Sequence, residues 1–262
     1  MMMRSVFLRT LFDKRWFMIG WSAAIGGMAI LMVAMFPSLS KGMADIAASM
    51  PPQLRGLVGD IASFTQLDSF ITSQLYDIRI PLFLMIMATV LAIGQSVSLE
   101  EKGVLRTVLS GKTSRASWFM HTWFAAVILF AVALAVTTGM TLLAVKGIND
   151  SIDIYVLLKL ALMSLSFAVT VFTIVFAVGV ATGSRTITLA VGVGMIVTSF
   201  ILQAGKAVDW LEPFQTVSML NYYDASDLLR SGLNYTHQMI LMSLLLIFLL
   251  VGLLFFRRRD VS

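Results

Sequence analysis

Residues 80–115 read IPLFLMIMATVLAIGQSVSLEEKGVLRTVLSGKTSR. The first 20 of them carry no charge, which is the length an α-helix needs to cross a hydrocarbon core of about 30 Å. The remainder holds Glu100, Glu101, Lys102, Arg106, Lys112 and Arg115 and must lie in water or among headgroups. A span followed by a charged connector makes the bilayer the solvent. The whole chain agrees, with 58% hydrophobic and only 13% charged residues in 262 and a mean hydropathy of +0.90. A soluble domain with an ordinary polar surface is excluded. The absence of cysteine removes disulfides, thiolate nucleophiles and Cys-ligated metals.

Six stretches are long and apolar enough to span: about 17–36, 80–99, 117–145, 154–182, 186–204 and 238–256. The expected fold is a single all-α polytopic membrane domain over 1–262 with both termini on one side. The first stretch exceeds the 7–15 residues usual for the apolar part of a signal peptide and is read as a retained anchor. One side of this topology carries 12 basic residues against Asp13, Glu100, Glu101 and Asp260, and the other 7 basic residues against 10 acids. The positive-inside rule then places both termini and the 100–116 connector in the cytoplasm. The net charge of +5 is thus a topology signal and gives no ground for nucleic-acid binding.

Ahead of the first span, Val6, Phe7, Leu11, Phe12 and Trp16 recur at near-helical spacing among Arg4, Arg9, Lys14 and Arg15. This pattern predicts a short helix in the headgroup plane with its basic side toward anionic lipid, or simply a basic flank to the span. Residues 37–79 contain Pro37, Pro51 and Pro52 with Leu54, Leu57, Val58 and Ile61 at helical spacing, so one or two short amphipathic outer helices are expected. Residues 205–237 set Trp210, Phe214, Tyr222 and Tyr223 among acids, with Pro213 and Gly232 as helix-stopping signals. They form either a re-entrant hairpin or an interfacial loop. The short connectors at 146–153 and 183–185 make spans three and four, and four and five, antiparallel neighbours.

The connector at 100–111 reads as a helix about 16 Å long. Val104, Leu105, Val108 and Leu109 share one face, Gly111 is placed to end the helix in the left-handed conformation, and Thr113 or Ser114 caps the third span. The apolar stripe requires a cover, either a soluble partner or the lipid headgroups. Chemistry within the chain finds little support. Gly111-Lys112-Thr113 ends like a Walker A motif, but Arg106 stands where that motif needs its first glycine. His121 and His237 fall at opposite membrane faces, and neither G-x-S-x-G nor H-E-x-x-H occurs. An enzymatic role is not expected. Ion coupling needs titratable groups near the midplane, whereas the clear candidate, Lys159, lies about 8 Å inside its helix start and is expected to snorkel. An ion-driven transporter and a regulatory or immunity-type membrane protein remain the alternatives.

The run from Glu100 to Arg115 resembles the E-E-x-G-[TV]-L-x-x-L-L-[SA]-x-P-[VT]-S-R element that follows the second of six spans in ABC-2-type exporter permeases. Lys112 departs from it, standing where proline is frequent. Leu211-Glu212-Pro213-Phe214 and Tyr222-Tyr223-Asp224-Ala225 are similar to that family's L-S-P-F and Y-x-D-P patterns before the last span. The resemblance implies a permease subunit in a prokaryotic cell membrane, energised by a separate ATP-binding cassette subunit that holds ATP and Mg. No cofactor is expected on this chain. It implies that Glu100 and Glu101 face basic groups of the ATPase, Gly103 allows close backbone approach, Val104, Leu105, Val108 and Leu109 fill a groove on it, and Arg115 anchors the far end. Trp210, Pro213, Phe214, Tyr222 and Tyr223 become outer-gate candidates. Two permease halves are needed, as a homodimer or with a sister permease, and the glycines of the first and fifth spans are candidates for that seam. An amphipathic or lipidic compound, drug or peptide is the implied cargo.

Overall fold

The computed structural model describes residues 6–49, 66–111, 113–205 and 209–259, and no strand occurs among them. Two helices open the chain: α1, Val6–Asp13, and α2, Arg15–Ser49. Leu67–Ile71 (α3), a π-helical stretch Thr72–Arg79 and Ile80–Gln95 (α4) follow without a break. Val97–Glu101 (α5) and Val104–Leu109 (α6) make up the connector. Three long helices come next, Arg115–Gly147 (α7), Ile154–Thr182 (α8) and Arg185–Ala204 (α9). Two 3-10 helices, Asp209–Val217 and Met219–Tyr222, then lead through Ala225–Ser231 (α10) to Tyr235–Arg258 (α11). Six of the segments so formed are long and apolar enough to cross a membrane, and the chain is a multi-pass membrane protein.

Spans three to six match the sequence reading within a few residues. The first two are longer than expected. Helix α2 runs through Pro37 instead of stopping there, and the second span starts at Leu67, not 80. Asp68, Asp77 and Arg79 depress the apolar signal of that first part, but the fold gives two of them partners. Asp77 caps α10, as described below, and the Arg79 guanidinium donates to the Gln74 carbonyl and side chain. The π-helical stretch ends just before Pro81, whose ring has no N–H to give and presses on the carbonyl four residues back. The expected outer helix around Leu54, Leu57, Val58 and Ile61 lies outside the described residues.

Helix α8 is the most enclosed span and packs against α4, α7, α9 and α11. Close approach is paid for by small residues. A Cβ on Gly179 would meet Ser96 of the α4–α5 junction, one on Gly192 would meet Thr89 of α4, and one on Gly252 would meet Ala177 of α8. Gly26 abuts Met140, where α2 lies along α7. These glycines therefore serve packing within one chain, while Gly20, Gly27 and Gly194 face open space. Most polar residues of the spans bond backbone: Thr89 to Met85, Thr137 to Ala133 and Thr173 to Val169, with Thr173 also accepting from the Trp123 indole.

Candidate functional site

The connector is two short helices and not the single one its apolar periodicity suggested. The chain breaks at Lys102 and Gly103, where Gly103 takes φ +67° and its N–H donates to the Glu100 carbonyl at 2.8 Å. A side chain at that φ costs about 1–2 kcal/mol, which glycine avoids. Gly111 does not adopt the left-handed conformation, and α6 ends through Ser110, whose N–H donates to the Arg106 carbonyl at 2.9 Å. Ser114 caps α7 as anticipated, accepting from the Ser117 N–H at 3.1 Å.

The apolar stripe faces inward. Leu105 is 1% exposed and belongs to the core, while Val108 and Leu109 rest half-buried against it and Val104 is half-buried. The connector presents Glu101, Lys102, Gly103, Arg106, Thr107, Ser110 and Gly111 outward.

Its charged residues grip the chain's own helix ends. Glu100, with a side chain 8% exposed, pairs with the Arg259 guanidinium, itself 21% exposed. The same guanidinium donates to the Val180 carbonyl at 2.9 Å, satisfying one of the acceptors left free at the C-terminus of α8. It lies directly over Gly183, where any Cβ would collide with it, and Gly183 has φ +63° as the cap of α8. Arg115, at the start of α7, donates to the carbonyls of Phe256 at 3.2 Å, Arg257 at 3.4 Å and Arg259, and so caps α11. Glu101 reaches Arg185 at the start of α9, 3.5 Å away and well exposed. Immediately beneath lie the rings of Trp118, Phe119, Phe176 and Phe256, 5.1–6.3 Å apart. Five spans thus converge on the residues that flank the connector. Of these residues the sequence singles out Glu100, Glu101 and Arg115 as site residues, whereas Arg185 and Arg259 count there only among the basic residues that set the topology.

At the opposite end, the segment before the last span folds back on α9. Ser218 Oγ donates to the Ser199 carbonyl at 3.3 Å, Met219 N–H to Ser199 Oγ at 3.1 Å, and Gln215 Nε2 to the Leu202 carbonyl at 2.9 Å. Ser199 is five residues, about 7.5 Å, inside the end of α9, so the chain dips below that helix end. The gate candidates divide. Trp210 (71% exposed), Pro213 and Phe214 point away from the protein, Pro213 sits inside a 3-10 helix instead of ending one, and Tyr222 is half-buried with its ring edge-on to His237. Tyr223 is buried against Phe167, and its hydroxyl meets Ser164 of α8 at 2.9 Å. Burial holds that phenol well above its ordinary range, so it remains a neutral hydrogen-bonding group. Asp77 closes the arrangement. Its carboxylate accepts from Ala225 N–H at 2.8 Å, Ser226 N–H at 3.1 Å and the Ser226 hydroxyl, tying the second span to α10. Gly232 stops α10 at φ +84°, as its position suggested.

No curated protein matches the chain. A family model does: that of the C-terminal domain of the multidrug efflux system permease Rv1217c, over residues 11–257. That match covers nearly the whole chain, with all six spans but for the last residue of the sixth, and stops short of Arg259; the chain belongs to this family of efflux permease domains.

Proposed function

We propose that this chain is the membrane half of an exporter driven by separate ATP-binding cassette subunits, and that the 100–115 connector is where it receives their motion. The ATPase would hold ATP and Mg, and this chain would contribute no catalytic residue. One observation carries the reading: the connector has an outward polar face, and directly behind it a clasp gathers α5 and the ends of α7, α8, α9 and α11. A push on Lys102, Arg106 or Thr107 would therefore move several spans together. The contact is shared out differently from a simple apolar plug. Leu105 would stiffen the connector from within, Val104, Val108 and Leu109 would offer their half-exposed edges, and the rim charges would tune rate and specificity. The reading also takes the connector and both termini as cytoplasmic in a cell membrane, an amphipathic or lipidic compound, drug or peptide as cargo, and a second permease half, identical or related.

Purification of the tagged chain from its native membrane tests this. A stoichiometric ATPase, lost when Arg106→Glu reverses charge on the exposed face, is the expected outcome. Recovery of the chain alone after crosslinking would overturn the reading.

A further inference from the structure

On the connector side of the molecule the described acids are already engaged. Asp13 pairs with Arg9 at 3.7 Å, Glu101 with Arg185 and Glu100 with Arg259. Lys14 and Lys102 are left without an ion-pair partner among the described residues. Lys14 is no freely solvated lysine: it is half-buried in the turn between α1 and α2, its ammonium set against Gly94 of α4, where a Cβ would stand 2.9 Å from Nζ. Burial, then the charge of Lys102, hold it below the ordinary lysine range against the opposing pull of Asp13. Two like charges with one partly desolvated favour an anion between them.

The helices beside this lysine supply the rest of a site. Lys14, Phe17, Trp21 and Ala24 follow one another at i, i+3, i+7 and i+10, a single stripe. Phe83 and Gly94 are eleven residues, three turns, apart on one face of α4. Between the stripes runs an open apolar groove of about 320 Å³ lined by Trp16, Phe17, Gly20, Trp21, Ala24 and Phe83. Trp21 stands edge-on to Phe83, 6.2 Å between ring centres, and Gly20 leaves open space where a side chain would begin. A cation at one end of an apolar channel is the complement of an anionic amphiphile.

We infer that this groove holds one anionic phospholipid from the leaflet on the connector side, with its phosphate on Lys14 and Lys102 and an acyl chain between Trp21 and Phe83. The site draws on α2, α4, the turn before α2 and Lys102 of the connector, and all of it is present in this chain alone.

Native mass spectrometry of the full chain, released from detergent with phosphatidylglycerol or phosphatidylcholine of identical acyl chains, reads it directly. A lysine near an anionic headgroup favours binding by about fivefold, so the wild type should retain phosphatidylglycerol on the order of 25-fold better. Lys14→Gln with Lys102→Gln should abolish the preference, and Lys14→Arg should keep most of it. Gly20→Leu, which enters open space, should lower retention of both lipids without lowering the melting temperature. Equal retention of the two lipids by the wild type would overturn the inference. So would a preference that survives the double substitution, or a dimer that disappears in Gly20→Leu, which would make the groove a seat for a second copy.

Discussion

Arg259 does three things at once: it neutralises Glu100, satisfies the Val180 carbonyl and occupies the space above Gly183. Removing one member of a buried pair leaves the other charge desolvated, at a cost of up to about 3–5 kcal/mol. Because Arg259 is partly exposed, Arg259→Ala should cost about 2–3 kcal/mol, seen as a lower melting temperature in detergent. Glu100→Gln with Arg259→Gln should lose less than the sum of the single changes, since the two share one interaction. Gly183→Ala must displace the guanidinium and accept a left-handed φ, so it should resemble Arg259→Ala with about 1–2 kcal/mol added. If Gly183→Ala melts like the wild type, Arg259 does not rest where described. In the sequence, Arg259 was one of three consecutive arginines at a span end, which the positive-inside rule explains without any partner. The carbonyl of Val180 carries no sequence signal at all, so the clasp emerges only when three helix ends are brought together.

At the level of elements, continuous hydrophobicity makes a span legible in sequence, and tertiary contacts hide it. Span four, Ile154–Thr182, was legible to the residue because Asp153 and Gly183 mark its ends and no charge but Lys159 interrupts it. The second span was cut short by 13 residues because Asp68, Asp77 and Arg79 read as loop until their partners are known. The connector's helical content was legible, but its break was not. Gly103 could be read as a site of close approach or a turn, and only the φ of +67° decides. The segment before the last span hangs on Asp77. Asp77→Ala would remove three bonds to the start of α10, worth about 1–2 kcal/mol as a helix cap. Amide exchange over residues 209–231 should then quicken relative to α8. Unchanged exchange would mean that the bonds to Ser199 and Leu202 suffice to hold the segment.

Across the molecule, α8 is the hub and α2, α9 and α11 form the least enclosed surface. Under the proposed function, a second permease half would meet some part of that surface. Exposed Val193 and Val197 of α9, together with open Gly194, mark one stretch able to receive it. The chain has no cysteine, so single replacements report cleanly. Val197→Cys should crosslink two copies through a short bifunctional reagent, and Leu162→Cys, on the exposed face of α8, should not. The reverse pattern would move the seam to the α7–α8 side. In the proposed function the connector passes motion from an ATPase to these spans, and proteoliposomes containing both subunits test this through Gly103→Pro. Proline fixes φ near −65° and removes the N–H that closes onto Glu100, while a Cβ at this position meets nothing. The variant should assemble and hydrolyse ATP but export an amphipathic dye at a small fraction of the wild-type rate. Export at the wild-type rate would contradict it.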